Sequence, residues 1–146
     1  VNMASYFLKE GQVVVSEKQG KSETQLNHRS TGIIGLPVTT KVVVLVDNGS
    51  ASASEILAGA LKDHGVAKVV GVKSFGKGSV QELINLDGGA SLKVTIAKWF
   101  TPNGVNISEH GIVPDIEVQA TTSMKLKDGT IRDMQLEKAI EVVKKM

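Results

Sequence analysis

KVVVLVDNGSASASEILAGALKDHGVAKVVGV, residues 41–72, sets the fold class. Lys41–Asp47 is an almost continuous apolar run, which suits a strand buried on both faces of a parallel sheet. Asn48–Gly49–Ser50 turns the chain. Ile56, Leu57, Ala60 and Leu61 then recur on one face of a helix expected from about Ala53 to His64, and Gly65 ends it. Ala67–Val72 reads as the next strand. Strand, helix and strand in so short a span make a right-handed parallel crossover. The expectation is a single α/β domain with a mixed β-sheet and flanking helices.

Outward from this unit the patterns are simpler. Val1–Lys9 places Met3, Phe7 and Leu8 at helical spacing, and Gly11 stops that helix. Gln12–Ser16 is β-branched and reads as a strand. Glu17–Gly32 is polar, either a lid-like loop or a surface hairpin. Phe75–Gly78 is a glycine-flanked turn. Ser79–Leu86 and Ser91–Phe100 alternate apolar and polar residues around Asp87–Gly88–Gly89, a hairpin signature. Ile112–Val118 is extended around Pro114. Leu136, Ile140 and Val143 mark a closing helix over Met134–Val143.

Composition narrows the function classes. The chain has 146 residues, of which 41% are apolar, a globular composition large enough for one core. Aromatics are 3% of the residues, so stacking platforms for single-stranded nucleic acid are disfavoured. The net charge is only +2. Lys138, Lys144 and Lys145 complement a helix C-terminus and do not form a nucleic-acid patch. The absence of cysteine excludes disulfides, thiolate metal sites and a cysteine nucleophile. No apolar run is long enough to span a membrane, and no signal peptide is visible. The start at Val1, inside a helical pattern, suggests that upstream sequence is missing.

Asp47–Glu55 (DNGSASASE) carries the chemistry. Three serines sit where a parallel strand passes into a helix, the end of the strand where ligands and nucleophiles gather in open α/β sheets. There a serine faces the positive end of the helix dipole and free backbone N–H groups, which stabilise a developing oxyanion. Taken alone, the same serine is an ordinary helix N-cap.

A hydroxyl nucleophile needs a base. His64 lies at the far end of the same helix, roughly 15–18 Å away at 1.5 Å per residue. His28 and His110 lie in a polar segment and a late turn, with no readable acidic partner. A Ser-His-Asp arrangement stays open, although nothing in the sequence points to one. Lys77, in the Gly76–Lys77–Gly78 turn, is the stronger candidate. A basic lysine must be largely unprotonated. Against a reference near 10.4, a shift of roughly three units needs about 4 kcal/mol, which burial can supply. Its partner should then be a neutral acceptor such as Gln81, which requires the chain to bend at Gly78, because residues four apart in a straight strand lie about 13 Å apart. A lone glycine-flanked lysine is otherwise a solvated turn residue.

Asn48–Leu61 (NGSASASEILAGAL), followed by Lys73–Gln81 (KSFGKGSVQ), resembles the signature of the C-terminal processing (tail-specific) peptidases. Asn103–Val118 (NGVNISEHGIVPDIEV) is similar to a later segment of the same catalytic domain. The resemblance covers about Lys41 to Val118. It implies Ser52 as nucleophile, Lys77 as general base twenty-five residues on, Gln81 as the residue that positions the lysine, and the Ala53 N–H as an oxyanion donor. It further implies a spiral core of the crotonase/Clp-protease type, protein or peptide substrates with exposed C-termini, and action outside the cytoplasm.

By that resemblance residues 1–146 are part of a peptidase catalytic domain, without the PDZ domain, the N-terminal segment and the glycine-rich strand end that supplies a second oxyanion N–H. Losing one donor costs around 3 kcal/mol of transition-state stabilisation, so the isolated chain is expected to be nearly inactive. The reaction it implies is acyl transfer through serine, with no metal or organic cofactor. A peptide substrate would lie as an added strand along a sheet edge. A non-catalytic module that docks protein tails is the alternative. A crotonase-like acyl-CoA enzyme is a third reading, but it gives no reason for Lys77 and Gln81. The sequence leaves a homo-oligomer open.

Overall fold

The computed structural model describes residues 1–20, 25–33, 35–37, 39–119, 124–125 and 131–146. Along the chain run β1 (Val13–Lys18), β2 (Gln25–Arg29), β3 (Val42–Val46), α1 (Ala53–Asp63), β4 (Ala67–Gly71), β5 (Ser79–Asn85) and β6 (Ser91–Phe100). Then come α2 (Ile107–His110), β7 (Ile116–Glu117), β8 (Met124–Lys125), β9 (Ile131–Arg132) and α3 (Met134–Lys145). The α/β class is as expected. The mixture of strand directions is divided between two sheets: β3, β4 and β7 are parallel in the order β3-β4-β7, while β2-β1-β6-β5 is antiparallel. A short ribbon pairs β8 with β9.

The crossover forms as the sequence directs. β3 and β4 pair in register from Val42 opposite Ala67 to Val46 opposite Gly71. α1 between them also packs on β1, so it ties the two sheets together. One buried cluster joins Ala60 and Leu61 of α1 to Ala4, Leu8, Val14 and Ala67. A second joins Ala58 to Val46, Val69, Ile107 and Ile112. Burying a side chain such as Leu61 stabilises the fold by about 1.5–3 kcal/mol. Small residues let α1 approach closely: a Cβ on Gly59 would stand 3.0 Å from Ile112 Cδ1 and 3.1 Å from Thr101 Cγ2.

Gly71 ends β4 at φ +134°, a backbone conformation that L side chains rarely adopt. A Cβ there would run into the carbonyl oxygen of Val46. That carbonyl accepts the N–H of Val72 at 3.1 Å, so β3 and β4 stay bonded to the point where both chains leave for the site.

Several expectations change. The helix over Val1–Lys9 is a single 3₁₀ turn, Ala4–Tyr6. So short a segment nucleates poorly, and one turn already buries Ala4 and Leu8 while Met3 faces solvent. β3 is not buried on both faces: Val42–Val44 are half-buried, Leu45 is exposed and only Val46 is buried, and the strand is an edge of its sheet. Of Ile112–Val118 only Ile116–Glu117 pairs, and Pro114 has no N–H to offer a ladder. The polar stretch after Ser16 is a hairpin of β1 and β2, with residues 21–24 outside the described residues. The hairpin predicted around Asp87–Gly89 forms, and most of β5 and β6 stands exposed.

Of the three lysines assigned to a helix C-terminus, Lys144 and Lys145 lie in the last turn of α3, whereas Lys138 lies nearer its start, because the helix already begins at Met134. Glu141 accepts hydrogen bonds from Lys138 at 2.8 Å and Lys145 at 2.5 Å. Those bonds, Lys138 first, hold its carboxyl down to about 2.

Candidate active site

Asp47 shapes the turn that follows β3. Its Oδ1 accepts the Gly49 N–H at 3.0 Å and the Ser50 hydroxyl at 2.9 Å. The Ser50 hydroxyl oxygen accepts the Asp47 N–H at 3.1 Å, closing a small ring of bonds. The Ser50 hydroxyl, with help from backbone N–H groups, holds the Asp47 carboxyl below its ordinary value of 3.8. Because the folded value is depressed, the contribution is complete above that ordinary value and disappears as pH falls through the lower folded one. Acidification below about pH 4 should therefore loosen this turn. Protection of the Gly49 and Ser50 amides, relative to the intrinsic exchange rate at each pH, should fall there in the native chain, and Asp47→Asn should remove the pH-dependent part.

Ser52 is the N-cap of α1 and is exposed. Its backbone, φ 56° and ψ −116°, has the one positive φ outside glycine among the described residues. N-caps usually lie in the β region. Residues held in sparsely populated conformations cost of order 1–3 kcal/mol and cluster at functional sites. Here the unusual conformation turns the serine outward at the junction of a sheet strand and a helix. Ala53 follows as the first helical residue, and first-turn N–H groups have no carbonyl partner inside their own helix.

The lysine turn is set by contact with α2. A Cβ on Gly78 would lie 2.5 Å from the Ser108 nitrogen and 2.7 Å from Ile107 Cβ, and one on Gly76, at φ +87°, 3.3 Å from the Ile107 carbonyl oxygen. Both glycines are therefore required for the turn to lie flat against α2. The Phe75 N–H donates to the Ser50 carbonyl at 3.0 Å, bonding this turn directly to the serine turn.

Glu55 joins the two turns at their centre. It is fully buried, at 0% exposure. Oε2 accepts the Ser52 N–H at 2.8 Å and the Lys77 N–H at 2.9 Å. Oε1 accepts the Ser74 hydroxyl at 2.5 Å and the Gly76 N–H at 2.6 Å. The Ser74 hydroxyl oxygen in turn accepts the Ile112 N–H at 2.7 Å. Four donors satisfy a carboxylate that burial would otherwise penalise. Sequence reasoning missed this residue. The signal was present: Ser52 and Glu55 form the S-x-x-E spacing of a capping box.

The side chains expected to react are not hydrogen-bonded to one another. Among the described residues no hydrogen bond joins the Lys77 amine to the Ser52 hydroxyl or to Gln81. Lys77 is exposed, contrary to the expectation of a dry amine, although the glycines on either side of it pack against α2. Gln81 is exposed on β5 opposite Thr95, and its amide donates weakly to Thr95 Oγ1 at 3.4 Å. The bend expected at Gly78 does not bring it to Lys77, since β5 begins at Ser79 and is held in its ladder with β6.

The histidines are accounted for separately. His64 Nε2 lies 2.7 Å from the Val13 carbonyl oxygen and Nδ1 lies 3.2 Å from Gln12 Nε2, an arrangement satisfied with the proton on Nε2. His28 packs edge-on to Trp99, 3.5 Å from Glu17, an acidic partner the sequence did not reveal. His110 is exposed at the end of α2.

Residues 1–118 match the model of peptidase family S41. The chain belongs to peptidase family S41. This S41 chain is 38% identical over 138 residues to a protein of Bartonella bacilliformis named "Carboxy-terminal-processing protease", covering 93% of this chain and 31% of that protein. It is 42% identical over 118 residues to a "Probable CtpA-like serine protease" of Staphylococcus epidermidis, covering 81% and 24%. Among solved structures, the photosystem II D1 C-terminal processing protease superposes with a TM-score of 0.72 at 33% identity, over 87% of this chain and 32% of that one. The S41 chain thus spans a third or less of each of these relatives.

Proposed function

We propose that the full-length protein is a serine-type endopeptidase that cleaves proteins near their C-termini, and that residues 1–146 form part of its catalytic domain. Ser52 is the nucleophile, Lys77 the general base, Gln81 the residue that orients the lysine, and the Ala53 N–H an oxyanion donor. One observation carries the reading. Ser52 and Lys77 donate their backbone N–H groups to the same oxygen of Glu55, at 2.8 and 2.9 Å. Two nitrogens bound to one atom cannot lie further apart than the sum of those lengths, so the main chains that carry the proposed nucleophile and base lie side by side.

In the reaction, uncharged Lys77 takes the proton of Ser52 as the hydroxyl oxygen attacks the scissile carbonyl. Ala53 donates to the oxyanion. Lys77 passes the proton to the leaving amine, then removes one from water to free the acyl group. A peptide laid across the site covers the lysine, and such cover favours the uncharged amine. β5 begins two residues after Lys77 and is the outer strand of its sheet, which suits an added strand of substrate. The family membership supports the extension to protein tails and to a site of action outside the cytoplasm.

The full-length protein, incubated with a fluorophosphonate, should carry the adduct on Ser52, as read by peptide mass analysis. Binding of peptide tails with no adduct on Ser52 would make the chain a docking module and reject the peptidase.

A further inference from the structure

We propose that Glu55 is a positioning residue of this reaction: its buried carboxylate fixes the main chain of the nucleophile turn against that of the base turn. The inference rests on the reading of Ser52 and Lys77 as nucleophile and base. Helix capping does not account for what Glu55 does. A capping box needs only the bond to the Ser52 N–H. The other three bonds reach Ser74, Gly76 and Lys77, residues 19, 21 and 22 positions along the chain. They add nothing to α1 and instead hold the whole base turn.

The donors explain why a carboxylate is required. Three are backbone N–H groups, which cannot reverse their polarity, and the fourth, the Ser74 hydroxyl, already accepts from Ile112. Both sides of the space between the turns therefore present hydrogens. Without an acceptor on each side, the turns would repel one another. A strained conformation such as that of Ser52 also persists only where its surroundings over-determine it. The bond from the Ser52 N–H to Oε2 is part of that constraint. Through these contacts Glu55 acts on the reacting atoms indirectly, by setting where the hydroxyl and the amine begin.

Glu55→Gln in the full-length protein tests this. The amide replaces one oxygen with an NH₂ group, which must face backbone N–H donors on whichever side it lies. Peptide cleavage should show kcat lowered at least tenfold with KM within threefold, and fluorophosphonate labelling of Ser52 should slow in parallel, at a temperature where circular dichroism shows the protein folded. Leu61→Ala, which weakens the core away from the site, should lose thermal stability yet keep kcat within twofold. Should Glu55→Gln unfold, Glu55→Asp, one methylene too short to span both turns, is read by the same thresholds. Loss of fold in both makes Glu55 a folding residue and overturns the proposal. So does kcat within twofold of native in the folded variant while Ser52→Ala is inactive, which would leave the nucleophile and base untouched. Turnover retained by Ser52→Ala overturns the underlying reading and this inference with it.

Discussion

Alanine in place of Ser52, or of Lys77, should lower peptide cleavage by the full-length protein by a factor on the order of 10⁴–10⁶. The first substitution removes the atom that attacks. The second leaves the hydroxyl without a base, because no histidine is bonded to it and His64 is already committed to Gln12 and Val13. Since the two groups act as a unit, the double variant should be no slower than either single one. Lys77→Arg should be as inactive as Lys77→Ala, since a guanidinium keeps its proton throughout the working pH range. Initial rates on a peptide with a free C-terminus, followed by mass spectrometry, decide the matter. Full turnover in either alanine variant would move the chemistry elsewhere in the molecule.

Gly71→Ala is the largest expected effect on stability. A Cβ at this position collides with the carbonyl oxygen of Val46, and φ +134° is unfavourable to any L side chain. The colliding atom belongs to the backbone of a paired strand, so no rotamer change relieves the contact. The cost should exceed about 4 kcal/mol, a large share of the 5–15 kcal/mol that holds a typical domain together. Gly88→Ala is the control. It too has a positive φ, +80°, but a Cβ there meets nothing within 4 Å. It should cost about 1 kcal/mol. Denaturant midpoints measured on the two variants and the native chain separate collision from conformational strain. Equal midpoints for the two variants would show that β3 and β4 can part without consequence.

How much of this was legible follows from the range of the interactions. The crossover from β3 through α1 to β4 was readable because its signals are local: a β-branched run, one helical face and a glycine stop. The hairpin of β5 and β6 was readable for the same reason. What the sequence hid was long-range. Nothing in KVVVLVD tells that β3 is an edge strand, because its neighbours are fixed by pairing elsewhere. The Ser52 and Lys77 positions came from motif and spacing, and the structure brings their turns together. The contact expected between Lys77 and Gln81 does not form, because the ladder with β6 fixes β5 more strongly than an exposed amine can attract an amide. Glu55 escaped notice because a glutamate one turn into a helix looks like an ordinary cap until the residues near 75 fold back over it.

The backbone at Ser52 has an evolutionary corollary. Alanine there keeps the Cβ and hence the discomfort, whereas glycine would relieve it. Heat resistance and reactivity therefore pull this codon in opposite directions. A population selected only for surviving high temperature would drift toward discarding the very atom proposed to cut the substrate.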